Sequence, residues 1–252
     1  MDNVLYLIAG LFLPLFPLSM IFNILLRHTQ PITLRVIVLI LWPQIGLLLL
    51  SRLGGHIPAW ILPLAITTSG LYALRALALR DMRQWSGFLA TSAWALLWIT
   101  YQAGTPVASL QLYALGFSIP LALLALLIYN LEQRFGGAYT GLYGGLAQSL
   151  PRLSVLLVLV VLAVIATPIF PGFFIMLSSI VDAFTGTPAI AVALILVWLL
   201  WSWAGARLLQ GIIAGPAVNN EILDLNRMIT WCYSLGLLLL IVAGIYGIGE
   251  LL

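Results

Sequence analysis

The run Leu-Leu-Val-Leu-Val-Val-Leu-Ala-Val-Ile-Ala at Leu156–Ala166 decides the fold class of this chain. A second run at Ala191–Leu200, Ala-Val-Ala-Leu-Ile-Leu-Val-Trp-Leu-Leu, is equally continuous. Helices at the surface of soluble proteins carry one apolar stripe, and strands of membrane barrels alternate polar and apolar residues. Segments that are apolar on every face fit neither pattern, so they predict helices surrounded by lipid or by other apolar helices.

The rest of the chain has the same character. It is 63% hydrophobic and 7% charged, whereas soluble domains carry about 25% charged residues. A membrane span needs about 20 mostly apolar residues, and about eight such stretches are present. We therefore predict one all-α polytopic membrane domain over residues 1–252, with spans at Val4–Leu26, Ile32–Arg52, Pro58–Leu79, Ser86–Tyr101, Val107–Asn130, Leu153–Val181, Ala189–Gly211 and Met228–Gly249.

The basic residues are distributed unevenly between the two ends of these spans. Arg52 falls on one side, together with Asp2, Asp182 and Glu250. Because positive residues favour the cytoplasmic side, both termini are predicted to be non-cytoplasmic. The first span lacks the basic start of a cleaved signal peptide and is expected to be retained. The remaining arginines lie on the predicted cytoplasmic side: Arg27, Arg35, Arg75, Arg80, Arg83, Arg134, Arg152, Arg207 and Arg227.

Two pairs of prolines lie inside predicted spans, Pro14 with Pro17 and Pro168 with Pro171. Proline removes a backbone donor, and two prolines three residues apart almost force an unwound turn. We expect broken helices at both places, an architecture in which membrane transporters build ion sites.

All ten basic residues are arginine, and lysine is absent. A buried lysine can lose and regain a proton, whereas arginine stays charged and cannot relay one. Uncharged side chains such as those of Gln44, Thr67 and Thr68 could hold water in a polar path but store no proton. The candidate residues for a proton or ion path are Gln44, Thr67, Thr68, Arg75, Asp81, Arg83 and Arg207.

Structural explanations compete with these roles. Arg75 is favoured to extend its guanidinium to the interface rather than to line a pathway. Arg207 could pair with Asp224 or Glu221 in a structural salt bridge. For Asp81, beside Arg80 and Arg83, a topology signal and part of a charged site are equally good explanations.

The sequence predicts no cofactor bound by this chain and no enzymatic activity of its own. Cys232 is the single cysteine, and His28 and His56 fall on opposite sides of the membrane, so neither a metal cluster nor a haem site is predicted. Nucleotide loops, catalytic triads and carboxylate pairs are missing, and the net charge of +3 does not suggest nucleic acid. A bound lipid or quinone is compatible with the composition.

Several stretches resemble the antiporter-like membrane subunits of respiratory complex I (its M, N and L chains) and the large subunits of multisubunit cation/proton antiporters. That family reads Gly-Gly-Leu and Met-Pro before a long helix, then a Pro-Gly-x-x-Gly-Phe turn. The matches occur in family order and cover most of the chain, so the chain resembles the C-terminal two-thirds of such a subunit. The matching segments are Pro14–Leu18, Arg80–Gln84 with Phe88–Ser92, Asn130–Arg134, and Tyr143–Arg152 with Pro168–Phe174. The family's first several helices are expected to have no counterpart.

The departures from the family pattern concern its titratable residues. By this resemblance, the positions of family lysines, histidines or acids fall on or near Gln44, Ala93, Phe117 and Met176. A further lysine falls on Arg83, which keeps the charge but cannot titrate. The resemblance therefore implies the fold of a proton pump with most of its polar axis replaced.

The resemblance implies a non-enzymatic subunit of a larger energy-coupled proton- or cation-translocating complex, and the replaced residues predict an accessory or structural role. The implied location is the bacterial inner membrane. Its expected partners are other integral membrane subunits, among them a full-length antiporter-like subunit, together with membrane lipids and a soluble cytoplasmic protein. Candidate parents are a complex I-like or hydrogenase-type oxidoreductase, a cation/proton antiporter, and an inorganic-carbon accumulating complex with a zinc-dependent, carbonic-anhydrase-like partner.

Two alternatives stay open. The chain could be an active proton or cation transporter with a water-filled path along Gln44, Thr67, Thr68 and Arg83. It could instead be a quinone- or lipid-binding membrane subunit.

Overall fold

The computed structural model describes residues 2–53, 57–141, 144–215 and 223–251, with the side chains of residues 4–53, 57–141, 144–215 and 223–246. His56, Tyr143 and Glu221 lie outside the described residues. The described part is helical and contains no strand, apart from an isolated bridge between Asp81 and Tyr139. The helices are α1 (Asp2–Phe12), α2 (Ser19–His28), α3 (Ile32–Leu50), α4 (Ile61–Ala78), α5 (Met82–Gln102), α6 (Val107–Phe135), α7 (Leu146–Ser149), α8 (Pro151–Val164), α9 (Pro171–Gly186), α10 (Pro188–Ile213) and α11 (Arg227–Leu251).

Each predicted span coincides with one helix or with a broken pair of helices. Five helices, α3, α4, α6, α10 and the Arg227–Tyr246 part of α11, are long and apolar enough to cross a membrane. The all-helical class is confirmed, while the count of eight spans and the orientation of the termini stay predictions.

The first and sixth predicted spans are interrupted at the proline pairs. Pro14 and Pro17 lie in the non-helical segment between α1 and α2, and Pro168 lies between α8 and α9. Pro171 is the first residue of α9, where its missing N–H costs no helical hydrogen bond. Pro43 and Pro120, by contrast, sit inside the continuous helices α3 and α6.

Helix α5 forms the centre of the bundle. Seventeen of its 21 residues are buried, among them Trp85, Trp94 and Trp98, and it packs against α2, α4 and α6. At the other extreme, 22% of the membrane-crossing window of α11 is buried. Because α11 presents large apolar side chains such as Leu239 and Val242 outward, this face suits lipid or another apolar helix.

Candidate functional site

Two of the charged residues predicted from sequence, Asp81 and Arg83, lie together at the start of α5. Asp81 is the N-cap of α5, and its carboxylate accepts a hydrogen bond from the Arg83 backbone N–H at 2.8 Å. The segment around Asp81 also pairs with the chain after α6, since Met82 N–H donates to Ala138 O at 3.0 Å and Thr140 N–H to Arg80 O at 2.8 Å. Asp81 therefore has a local structural task, to cap a helix and hold a loop.

Arg83 forms a two-pronged ion pair with Glu132, near the end of α6. Its Nε and one terminal nitrogen donate to the two carboxylate oxygens, and the side chains are 25% and 12% exposed, respectively. Two parallel hydrogen bonds fix both the position and the orientation of the guanidinium relative to the carboxylate. Glu132 was absent from the residues predicted for the site, although an acid in the last turn of a long apolar helix was a usable signal.

A third charge, Arg35 near the start of α3, lies in the same region. It is 2% exposed and interacts electrostatically with Arg83, Glu132 and Asp81. One terminal nitrogen donates to Thr29 O at 3.1 Å, while its Nε and other terminal nitrogen have no partner within the described residues. Sequence analysis treated Arg35 only as a topology signal, because burial of an arginine at a helix end depends on neighbouring helices.

The uncharged candidates make structural hydrogen bonds. The Gln44 amide donates to Gln111 O on α6 at 3.0 Å. Thr67 is exposed and bonds carbonyls of its own helix. The buried Thr68 hydroxyl donates to Leu64 O and accepts from Phe16 N–H at 2.9 Å, so it satisfies a backbone group freed by the first helix break.

Arg75 and Arg207 lie apart from the ion pair. Arg75 is exposed on α4, with its guanidinium carbon 5.4 Å from the centre of the Phe88 ring. Of the two partners predicted for Arg207, Asp224 does not form an ion pair with it, and Glu221 lies outside the described residues. Asp224 instead accepts hydrogen bonds from the backbone N–H groups of Arg152 at 2.9 Å and Leu153 at 3.3 Å, because the start of α8 offers unpaired donors.

The middle of the bundle holds neutral groups that bond one another. Ser69 and Ser92 exchange hydrogen bonds through hydroxyls and carbonyls at 2.8–3.0 Å, and the Trp201 indole N–H donates to the Ser92 hydroxyl at 2.8 Å. Ser19 and Tyr72 hydroxyls lie 2.9 Å apart. These side chains are hydroxyl and indole groups that satisfy one another's hydrogen-bonding capacity.

Indole N–H groups bond the carbonyls left free at both helix breaks. Trp98 donates to Leu13 O at 3.0 Å, and Trp198 donates to Ala166 O at 3.1 Å. The second break contains non-glycine residues in the left-handed region, Ala166 at φ 58° and Ile169 at φ 88°, which is unusual for a β-branched side chain. At each break, an indole N–H therefore satisfies a carbonyl that the interrupted helix leaves free.

Three of the positions that the resemblance assigns to titratable family residues hold packed apolar side chains. Ala93, Phe117 and Met176 are 5%, 5% and 1% exposed, and the Phe117 ring meets Trp201 edge-on with centres 6.0 Å apart. Among the described residues, these three positions of the bundle therefore carry no titratable side chain. Among the described residues, no group of three His, Cys, Asp or Glu could hold a metal ion.

Comparison with solved structures places this arrangement among known folds. A chain of respiratory complex I from Thermus thermophilus has a TM-score of 0.85 and 23% identity over 97% of this chain. A chain of the Mrp complex from Dietzia sp. has a TM-score of 0.76 and 20% identity over 84% of this chain. A chain of membrane-bound sulfane sulfur reductase, an archaeal respiratory membrane complex, has a TM-score of 0.82 and 18% identity over 96% of this chain. This chain has their fold.

The resemblance inferred from the motifs is thereby confirmed at the level of the fold. No family model and no curated protein matches the chain. The chain spans about half the length of the three structures, since it covers 54%, 42% and 52% of them.

Proposed function

We propose that this protein is a non-enzymatic, antiporter-like integral membrane subunit that supports a larger proton- or cation-translocating complex without conducting the ion itself. The observation that carries the proposal is the apolar packing at Ala93, Phe117 and Met176. A proton path through hydrocarbon requires titratable side chains or waters in close succession, and these three positions supply no titratable side chain.

The charged residues that remain support the same conclusion. Arg83 is engaged by Glu132 at the end of the bundle, and an arginine cannot take part in a relay because it does not release its proton. The Arg83–Glu132 pair therefore serves to join α5 to α6.

The outer faces support assembly with other subunits. The similar structures are chains of multisubunit membrane complexes, and α10 and α11 present large apolar side chains outward, among them Leu199, Trp203 and Leu238. The proposed partners are other integral membrane subunits, including a full-length antiporter-like one. The candidate parents remain a complex I-like or hydrogenase-type oxidoreductase, a cation/proton antiporter and an inorganic-carbon accumulating complex.

Substitution of Gln44 by methionine tests the absence of an ion path. The change keeps the side-chain length and removes the amide, so we expect ion translocation by the purified complex, reconstituted in vesicles, to stay within about twofold of wild type. The hydrogen bond lost to Gln111 O is worth only about 1 kcal/mol, so assembly is expected to persist. If translocation stops while the complex stays intact, Gln44 lies on a conducting path and the chain is a transporter.

A mild-detergent pull-down of the tagged chain tests the supporting role. We expect a full-length antiporter-like subunit to co-purify. Mass spectrometry and metal analysis then distinguish the parents, because zinc with a soluble zinc protein indicates carbon accumulation and iron–sulfur proteins indicate a redox complex. A chain that purifies alone and stable would contradict the accessory role.

A further inference from the structure

A cleft of about 890 Å³ opens at the arginine-rich end of the bundle, between α4, α10 and the chain that follows α6. Arg80, in the turn between α4 and α5, and Arg207, on α10, both line it, and Thr140, Gln210 and Gly211 contribute polar groups. The volume lies near the top of the range of ligand pockets, about 300–1,000 Å³. A phosphate group alone would leave most of it empty.

The two arginines of this cleft have unused binding capacity. Within the described residues, neither guanidinium forms an ion pair or donates a hydrogen bond, since the one ion pair there joins Arg83 to Glu132. Both side chains are exposed. Each guanidinium can form two parallel hydrogen bonds to a phosphate, so the pair is suited to a phosphate held between the helices.

Trp85 forms part of the wall of the same cleft. Its side chain is 1% exposed, and its indole N–H has no hydrogen-bond partner within the described residues. A buried donor without a partner costs about 1–3 kcal/mol, so such groups are usually satisfied by something bound.

The rest of the wall is mostly apolar. Ala76, Ala78 and Ala204 keep it open, and Leu77 and Leu208 line it with hydrocarbon. The cleft thus combines cations with an apolar trough on one surface. This combination matches an amphiphile with an anionic head, and basic pockets between helices at the cytoplasmic side of a membrane recognise such headgroups.

We propose that this cleft binds the phosphate headgroup of an anionic phospholipid, with Arg80 and Arg207 on the phosphate and the start of an acyl chain along the alanine-lined wall. The proposal is independent of the accessory role, because a conducting subunit could carry the same lipid site.

The test measures lipid binding to the intact protein in mild detergent by native mass spectrometry. Phosphatidylglycerol is titrated against phosphatidylcholine, which has a phosphate but no net charge. At about 1 kcal/mol per arginine, Arg80→Gln and Arg207→Gln are each expected to weaken phosphatidylglycerol binding about fivefold, and the double variant about 30-fold. Since both side chains are exposed, the thermal midpoint without lipid is expected to be unchanged.

Arg227→Gln is the matched control, because Arg227 is an exposed arginine on the same predicted side and outside the cleft. Equal losses in this variant and in the cleft variants would show diffuse charge attraction and overturn the site. Equal binding of the two lipids would overturn the role of the arginines. Competition by millimolar inorganic phosphate that displaces phosphatidylglycerol completely would identify free phosphate as the occupant and refute the lipid.

Discussion

Replacing Glu132 with glutamine removes the acid that is bonded to Arg83 and that also attracts Arg35. Arg83 is bound directly to the carboxylate, and the buried Arg35 is attracted by Glu132 and repelled by Arg83. The Glu132→Gln protein therefore retains two nearby guanidiniums without the carboxylate bonded to Arg83, and Asp81 remains as a more weakly interacting acid near both. In the Arg83→Gln protein, by contrast, Glu132 still balances Arg35, and the repulsion between the arginines is gone. We expect Glu132→Gln to be the more damaging change.

The magnitude follows from burial. Removing one partner of a fully buried ion pair costs roughly 3–5 kcal/mol. Glu132 and Arg83 are 12% and 25% exposed, so solvent screens part of the interaction, and we expect about 2–3 kcal/mol for Glu132→Gln and about 1 kcal/mol for Arg83→Gln. The double variant is expected to be less unstable than the sum of the two by about 1 kcal/mol, which is the coupling between the residues.

The free energy of unfolding in mixed detergent, measured for the wild type, both single variants and the double variant, gives this coupling directly. Gln133→Ala is the matched control, because Gln133 is an exposed neighbour on the same helix, and it should change stability by less than about 0.5 kcal/mol. The reasoning is refuted if Arg83→Gln costs as much as Glu132→Gln, or if the two effects simply add.

Two further predictions concern the helix breaks. Trp98→Phe removes the indole donor from Leu13 O, and the unpaired buried carbonyl should lower the free energy of unfolding by about 1–3 kcal/mol. Gly244→Ala would place a Cβ atom 2.3 Å from the Ile169 carbonyl oxygen, so α11 must move away from the second break, and the thermal midpoint in detergent should fall by several degrees, on the order of a 1–3 kcal/mol loss.

Matched substitutions exist for both of these changes. Trp203 is 62% exposed, so Trp203→Phe should leave stability nearly unchanged; a loss equal to that of Trp98→Phe would mean that tryptophan bulk, rather than the hydrogen bond, matters. Gly70 has no atom within 4 Å of a built Cβ, so Gly70→Ala should be neutral or slightly stabilising. A neutral Gly244→Ala would show that α11 does not contact the break.

The sequence alone predicted much of the charged end but missed its central acid. Arg83 and Asp81 were recognisable as charges at a helix end, and Asn130–Arg134 as a motif. Their contacts join residues about 50 positions apart, and nothing in the local sequence of α6 specifies which arginine Glu132 will face. Likewise, the sequence offered Asp224 and Glu221 as partners for Arg207, whereas in the structure Asp224 accepts hydrogen bonds from the start of α8.

The sequence by itself determined the helical class of this protein and the places where its helices are interrupted. Continuous apolar runs such as Leu156–Ala166 require helices, and the proline pairs interrupt two of the predicted spans. Helix formation and interruption depend on the residues of each segment and their backbone hydrogen bonds, so they can be predicted from the local sequence. The tertiary structure decided which polar groups are buried and which partners they bond. It buried Arg35, brought Trp98 and Trp198 to the broken ends, and brought Arg80 and Arg207 together across one cleft. The physical reason is that burial and hydrogen bonding are properties of contacts between helices, and the packing of α4, α5, α6 and α10 sets those contacts.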